Sequence, residues 1–179
     1  MEQIRVHGRG GQGVVTAAEL IAIAAFYEGK YSQAFPSFGV ERSGAPVQSF
    51  ARISEEEIIT HEQIYEPSVL IIQDATLIGH VDVFSGSDKN TIIIINGSKD
   101  NYPNLKLKTK NIYFVPATET ALEIFGKNIV NTIILGAFSK HTSLVSLESL
   151  KKAIEEKFKD KGEEIIKKNI QAITKIYEK

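Results

Sequence analysis

The residues best suited to binding a ligand lie near the start of the chain, in a turn rich in glycine. Four glycines fall within positions 8–13. Glycine has no Cβ, so it adopts positive φ and lets another group approach the backbone closely. A short alternating run before the turn predicts a strand, and the apolar segment after it predicts a helix. The first N–H groups of a helix have no intrahelical acceptor, so this turn is suited to binding an anion such as a phosphate. The candidate residues are Gly8, Gly10, Gly11, Gln12 and Gly13.

The same turn satisfies the G-x-G-x-x-G pattern of dinucleotide-binding folds through Gly8, Gly10 and Gly13. Such folds place an acidic residue about 20 residues further on, where it holds the ribose. Residues 31–37 contain no Asp or Glu, and the next acidic residue is Glu41. This spacing argues against NAD or FAD. The alternative is a tight turn whose glycines allow close packing against a neighbouring chain.

A second candidate region is the long loop at residues 36–46, which contains two glycines and two prolines. Loops of this length inside a compact domain are usually functional or contact a partner. Arg42 and Ser43 offer donors to an anionic group. In the alternative interpretation, Arg42 pairs only with Glu41 or with solvent.

Two continuous β-branched runs, at residues 69–74 and 91–97, determine the predicted fold class. Strands of this kind are buried on both faces, as in the middle of a parallel sheet. The sequence therefore predicts one α/β domain over residues 1–179, a three-layer α/β/α sandwich with a mostly parallel sheet and C-terminal helices. Asp74 and Asn96 follow these runs, where each is either a ligand-binding residue or a cap of the next turn.

The predicted first helix, at about residues 13–28, is apolar on nearly every side. A surface helix of an isolated domain shows a polar face. We therefore expect one face of this helix to lie on its own sheet and the other to be covered by a partner chain.

Composition excludes several classes of function. The net charge of −1 gives no reason to expect nucleic acid or an anionic membrane as partner. The chain has no cysteine, so it supplies no thiolate to an iron–sulfur cluster. Its four histidines show no metal-binding spacing, and no catalytic motif is present. No signal region or membrane span is visible, which predicts a cytoplasmic protein.

Three stretches together resemble the gamma subunit of 2-oxoacid:ferredoxin oxidoreductases, most closely that of the pyruvate enzymes, also called pyruvate synthases. They are the turn at 8–13, the loop at 36–44, and Arg52-Ile53-Ser54. Later positions agree with the resemblance, namely Asn131, Leu135-Gly136-Ala137 and Asn169. The resemblance supports Arg42 and Ser43 as candidate site residues and adds Ser37 and Gly44. Many members have Arg-Gly-Gly where this chain has Arg42-Ser43-Gly44, so Ser43 departs from the family pattern.

The resemblance implies an enzyme complex in which this chain has no catalytic residue and binds no cofactor alone. Such enzymes convert a 2-oxoacid, coenzyme A and oxidised ferredoxin into acyl-CoA, CO2 and reduced ferredoxin, or run in reverse. Thiamine diphosphate and Mg²⁺ then lie between the alpha and beta subunits, and iron–sulfur clusters on the beta and delta subunits. This chain supplies interface and, as a hypothesis, part of the CoA site through its turn N–H groups and Arg42. Alternatives are another 2-oxoacid (2-oxoglutarate, a branched-chain oxoacid or indolepyruvate) or a free-standing nucleotide-binding domain.

Overall fold

The fold is built around one six-stranded sheet in a computed structural model that describes residues 1–37, 43–103 and 105–179. The strands are β1 (Glu2–Arg9), β2 (Tyr31–Pro36), β3 (Pro46–Ser54), β4 (Val69–Ile72), β5 (Ile92–Asn96) and β6 (Ile112–Val115). The α-helices are α1 (Val14–Tyr27), α2 (Ala117–Phe125), α3 (Leu135–Thr142), α4 (Leu147–Phe158) and α5 (Glu163–Glu178). Short 3₁₀ helices follow β4, β5 and α4.

The strand order is β2-β3-β1-β4-β5-β6. β1, β4, β5 and β6 pair in parallel, whereas β3 is antiparallel to both β1 and β2. The isoleucine-rich strands β4 and β5 are buried at the centre of the parallel part, because their β-branched side chains pack on both faces. The predicted mostly parallel α/β sheet is confirmed.

The two faces of the sheet are covered differently. All of the α-helices in the described chain contribute to the core on one face. On the other face, Leu70, Ile72, Ile93 and Ile95 pack against irregular chain that includes Leu77 and Val83. The layer that the sequence predicted there is thus made of loops and 3₁₀ turns, because the connections after β4 and β5 are rich in Gly, Asp and Asn, which favour turns.

Helix α1 is covered on both sides by its own chain. One side packs on β1, β2 and β3, and the other packs on α4. Polar contacts join the two helices at the rim, since Tyr27 Oη donates to Glu156 Oε2 at 2.6 Å and Lys157 pairs with Glu19 at 2.8 Å. The prediction that a partner chain covers the second face of α1 was therefore wrong.

Two helix ends carry local signals that are readable in the sequence. Gly29, at φ 75°, follows the end of α1, and the Ser146 hydroxyl caps α4 by accepting from the N–H of Ser149 at 3.1 Å. The apolar stretch at residues 128–138 predicts a helix, but in the structure this helix, α3, begins only at Leu135. Within the described ranges, every helix is too short or too polar to cross a bilayer.

Candidate functional site

The glycine turn connects the end of β1 to the start of α1 and is joined to the 43–45 segment. Gly11 has φ 90° and Gly13 has φ 69°, so both use the conformation that glycine adopts without strain. The Gly10 N–H donates to Ala45 O at 2.9 Å, and the Gly44 N–H donates to Gly10 O at 3.1 Å. Gly10 also forms a parallel bridge with Ser43. The structure thus brings the predicted residues Gly10, Ser43 and Gly44 together.

At two positions of the turn, glycine is required because neighbouring side chains leave no room for a Cβ. A Cβ on Gly8 would lie 2.6 Å from Val14 Cγ2, and a Cβ on Gly13 would lie 2.4 Å from Asn131 Nδ2. Gly11 differs, because no atom of the described residues lies within 4 Å of its Cβ position. The turn is therefore packed on its inner side and open at Gly11.

Gln12 fixes the turn to the end of the neighbouring strand β4. Its Oε1 accepts from the Arg9 N–H at 2.8 Å, and its Nε2 donates to Asp74 Oδ2 at 2.8 Å. The Arg9 side chain pairs with the same carboxylate, at 3.2 Å from Nε, and donates to Gly44 O. Asp74 also accepts from the Thr76 N–H at 3.0 Å, so it caps the following 3₁₀ helix and anchors the glycine turn.

The Asp74 carboxylate is held in its charged form. Partial burial favours the neutral acid, but hydrogen bonds from Thr76 and Gln12 and the positive charge of Arg9 outweigh it, so the pKa of Asp74 is lowered. The negative charge that anchors the turn is thus already paired with Arg9.

The N-terminus of α1 has the features of an anion-binding site. Among the described residues, no side chain caps the helix at Gly13, and the first turn contains no acidic residue. The dipole of the 14-residue helix adds partial positive charge at this end. The first-turn N–H groups are therefore suited to a phosphate or to a polar group of a partner.

Two buried amides beside the turn were missed as site residues by sequence reasoning. Gln73 is 1% exposed, and neither polar atom of its side chain has a hydrogen-bond partner in the described chain. Its Oε1 lies 3.3 Å from the Cβ position of Gly8. Asn131, which packs on Gly13, has an Oδ1 with no hydrogen-bond partner among the described residues. The sequence offered one signal, the position of Gln73 directly before Asp74 at the carboxyl end of a buried strand.

Asn96 does not cap the turn that follows β5, where Ser98 is the cap, and its side chain instead bonds to α2 and to the end of β4. Its Nδ2 donates to Gln73 O and to Thr118 Oγ1, both at 2.9 Å, and its Oδ1 accepts from the Thr118 N–H at 3.1 Å. Asn96 therefore ties β5 to the backbone at Gln73 and to the first turn of α2.

The other candidates from the 36–44 loop are placed differently. The Ser37 N–H donates to Gln48 O at 3.0 Å, which continues the pairing of β2 with β3. Because β3 lies between β2 and β1, Ser37 is separated from the glycine turn by one strand. Arg42 lies outside the described residues. A cluster of three or more His, Asp or Glu able to hold a metal ion is not found in the part of the chain that the structure describes.

Comparison with known proteins gives consistent matches over nearly the whole chain. Residues 3–179 match the family described as pyruvate ferredoxin/flavodoxin oxidoreductase. The pyruvate synthase subunit PorC of Methanosarcina barkeri is 53% identical over 155 residues, which cover 86% of this chain and 85% of that protein. The pyruvate/ketoisovalerate oxidoreductases common subunit gamma of Pyrococcus furiosus is 49% identical over 182 residues, covering 100% and 97%.

A solved structure is similar to this chain in architecture as well as in sequence. The crystal structure of pyruvate oxidoreductase subunit PORC from Thermotoga maritima matches with a TM-score of 0.84 and 37% identity. The match covers 99% of this chain and 96% of that one. The likeness therefore includes every element that positions the glycine turn.

Proposed function

Because the chain belongs to the pyruvate ferredoxin/flavodoxin oxidoreductase family, as the gamma subunit of a 2-oxoacid oxidoreductase, we propose that the enzyme complex containing it acts on pyruvate. In this proposal the chain assembles with alpha, beta and delta subunits in the cytoplasm. The complex converts pyruvate, CoA and oxidised ferredoxin into acetyl-CoA, CO2 and reduced ferredoxin, or runs the reaction in reverse.

The observation that carries the choice of pyruvate is the identity of about one half with a pyruvate synthase subunit along most of both chains. Residue chemistry supports one part of the division of labour within the complex. Iron–sulfur clusters need thiolate ligands in most proteins, and this chain has no cysteine, so we assign the clusters to partner subunits. We assign thiamine diphosphate and Mg²⁺ to partner subunits as the resemblance to the family implies, and there thiamine diphosphate would supply the electron sink for decarboxylation.

A second candidate function is that of a gamma subunit shared between two enzymes. The Pyrococcus furiosus relative is named as common to pyruvate and ketoisovalerate oxidoreductases, and it matches this chain over its full length. In that case, a tag on this chain would recover two complexes with different substrates.

An assay of the complexes recovered through such a tag decides between these candidates. Under anaerobic conditions, we expect CoA-dependent reduction of a viologen dye with pyruvate. Additional activity with 2-oxoisovalerate in a separable fraction would support the shared subunit. Activity with 2-oxoglutarate or indolepyruvate but not with pyruvate would contradict the proposal.

We further propose that the glycine turn contributes to the site for CoA, whose phosphates carry the negative charge that a helix N-terminus binds. Two features of the described residues support this role: no side chain among them caps the N-terminus of α1, and none of them beyond the chain neighbours of Gly11 lies near its Cβ position. The chain's own part is to bind and orient the phosphates, with the N–H groups fixed by Gln12 and Asp74 and with Arg42 as a charged partner.

Kinetics of the assembled complex test this assignment. We expect Arg42→Ala to raise the KM for CoA about tenfold, the effect of losing a charge-assisted hydrogen bond of about 1.4 kcal/mol. Gln12→Ala should also raise this KM, because it releases the turn from Asp74. The KM for pyruvate should not change. Lys159→Ala, on an exposed 3₁₀ helix away from the turn, is the matched control. If the variants alter only the amount of assembled complex, the turn has an interface role and no CoA role.

A further inference from the structure

Strand β6 forms one end of the sheet and has an unpaired edge. Its inner edge pairs with β5, since Asn111 O accepts from the Ile93 N–H at 2.8 Å and Val115 O accepts from the Gly97 N–H at 2.9 Å. Successive residues of a strand direct their backbone groups to opposite edges. The Phe114 N–H and the carbonyls of Ile112 and Phe114 therefore point away from β5. Among the described strands, only β5 pairs with β6.

A groove of about 420 Å³ runs along this strand, between β6 and helices α3 and α5. All four residues of β6 line it. Tyr113 of the strand stacks on His141 of α3, with ring centroids 3.7 Å apart and planes 13° from parallel. This stacked pair gives the groove a fixed aromatic wall beside the open backbone groups.

The charge around the groove is positive. Lys99, Lys140 and Lys179 line it, and no Asp or Glu side chain does so within the described ranges. Neither Lys99 nor Lys140 forms an ion pair with a described residue.

Two further groups affect this charge. The carboxylate of Glu123 interacts electrostatically with Lys179, but it accepts a hydrogen bond from Lys175. Burial, followed by the charge of Lys140, lowers the pKa of His141, so its ring is neutral near pH 7. The positive charge of the groove therefore rests chiefly on Lys99 and Lys140.

We propose that the open edge of β6 docks an extended, acidic segment of another subunit of the enzyme, which adds a strand to the sheet. The backbone groups of Ile112 and Phe114 provide the ladder for such a strand, and the lysines select for negative charge. The assignment of the partner to the same enzyme rests on the proposed function. The competing explanation is that the lysines only protect an exposed edge from self-association, as they do in many sheets.

Synthetic peptides test the chemistry of the groove on the purified full chain, independently of the complex. The probe is a fluorescent octapeptide of alternating Thr and Glu, and its counterpart alternates Thr and Lys. We expect the chain to raise the fluorescence anisotropy of the acidic peptide and not that of the basic peptide. The double variant Lys99→Glu/Lys140→Glu should bind it at least about tenfold more weakly, whereas Lys159→Glu should bind it normally. Equal binding by both double and control variants would overturn the proposal.

A proline substitution tests strand addition. Phe114→Pro removes the outward N–H without removing a hydrogen bond to β5, and Phe114→Ala is the control for loss of the side chain. We expect Phe114→Ala to keep peptide binding and Phe114→Pro to lose it. If Phe114→Pro binds as well as Phe114→Ala, no strand is added and the proposal is wrong.

The natural occupant can be identified by cross-linking, because the chain has no cysteine of its own. Ile112→Cys, labelled with benzophenone maleimide and irradiated in the purified complex, should cross-link to a stretch of another subunit with net negative charge. A cross-link to a basic stretch, or to this chain alone, would contradict the proposal. Failure to recover any complex would instead count against the proposed function, and the peptide experiments would still decide the groove.

Discussion

At the residue scale, the glycines of the 8–13 turn serve different purposes. Gly8 and Gly13 leave room for Val14 and Asn131, whereas the Cβ position of Gly11 has no close neighbour among the described residues outside its own chain neighbours. Both Gly11 and Gly13 have a positive φ. A sequence pattern cannot separate these cases, because the same residue type meets both needs. Substitution by alanine can separate them.

We expect Gly13→Ala to lower the free energy of unfolding by about 2–4 kcal/mol, which combines the left-handed backbone with overpacking against Asn131. Gly11→Ala carries only the cost of the left-handed backbone and should lower the free energy of unfolding by about 1 kcal/mol. Urea unfolding of both variants measures the difference. Removing the contact in Gly13→Ala/Asn131→Ala should recover part of the loss. Equal destabilisation by the two single variants would show that Asn131 does not constrain the turn.

His7 of β1 is buried beside a buried arginine. It is 2% exposed and accepts a hydrogen bond from Arg5 Nε at 3.0 Å. Burial, followed by the charge of Arg5, lowers the pKa of His7 to about 3. The Arg5 guanidinium in turn donates to the carbonyls of Ile64 and Val83, which holds the chain after β3 and β4 against the sheet. The neutral imidazole is therefore part of the packing.

This burial predicts a dependence of stability on pH. In the unfolded chain His7 has an ordinary pKa of about 6.5, so between that pH and about pH 3 the unfolded state binds the proton more readily. Stability is consequently lost as the pH falls, by about 2 kcal/mol between pH 7 and pH 5. His7→Gln should remove this component, and His80→Gln, at an exposed position, should not. If the free energy of unfolding falls equally for the wild type and His7→Gln from pH 7 to pH 5, the account is contradicted.

At the scale of elements, helices α3 and α5 cross where only glycine fits. A Cβ on Gly136 would lie 2.3 Å from the backbone carbonyl oxygen of Ile173. Gly136→Ala should therefore lower the free energy of unfolding by about 1–3 kcal/mol by separating the two helices. Lys140→Ala, on the exposed side of the same helix, should change it by less than about 0.5 kcal/mol. Thermal and urea unfolding measure both, and equal effects would argue against a tight crossing.

The elements also show what sequence patterns can and cannot predict. The apolar character of α1 correctly indicated burial on two faces, but burial alone does not identify the covering element. In the structure the covering element is α4 of the same chain, and the ion pair between Glu19 and Lys157 is one of the contacts between the two helices. The burial of Gln73 was indicated only by its place in the buried run at residues 69–74, because its residue type alone does not distinguish it from an exposed glutamine.

At the scale of the whole molecule, the β-branched runs predicted a mostly parallel α/β sheet. The strand order was beyond the sequence, since β1 pairs with β3 and β4 across long separations that local patterns do not record. The glycine turn was identified from its spacing, and its link to Asp74 came from the structure because it depends on the adjacency of β1 and β4. The molecule thus places at the carboxyl edge of its sheet a helix N-terminus that no described side chain caps.

The central claim is that this chain works as the gamma subunit of a pyruvate-oxidising complex whose cofactors lie on other chains. The most direct test is the native mass, iron content and thiamine diphosphate content of the particle recovered anaerobically through a tag on this chain. The account predicts co-elution with larger subunits that carry iron and thiamine diphosphate. A colourless monomer or homodimer of this chain, free of partners, would contradict it.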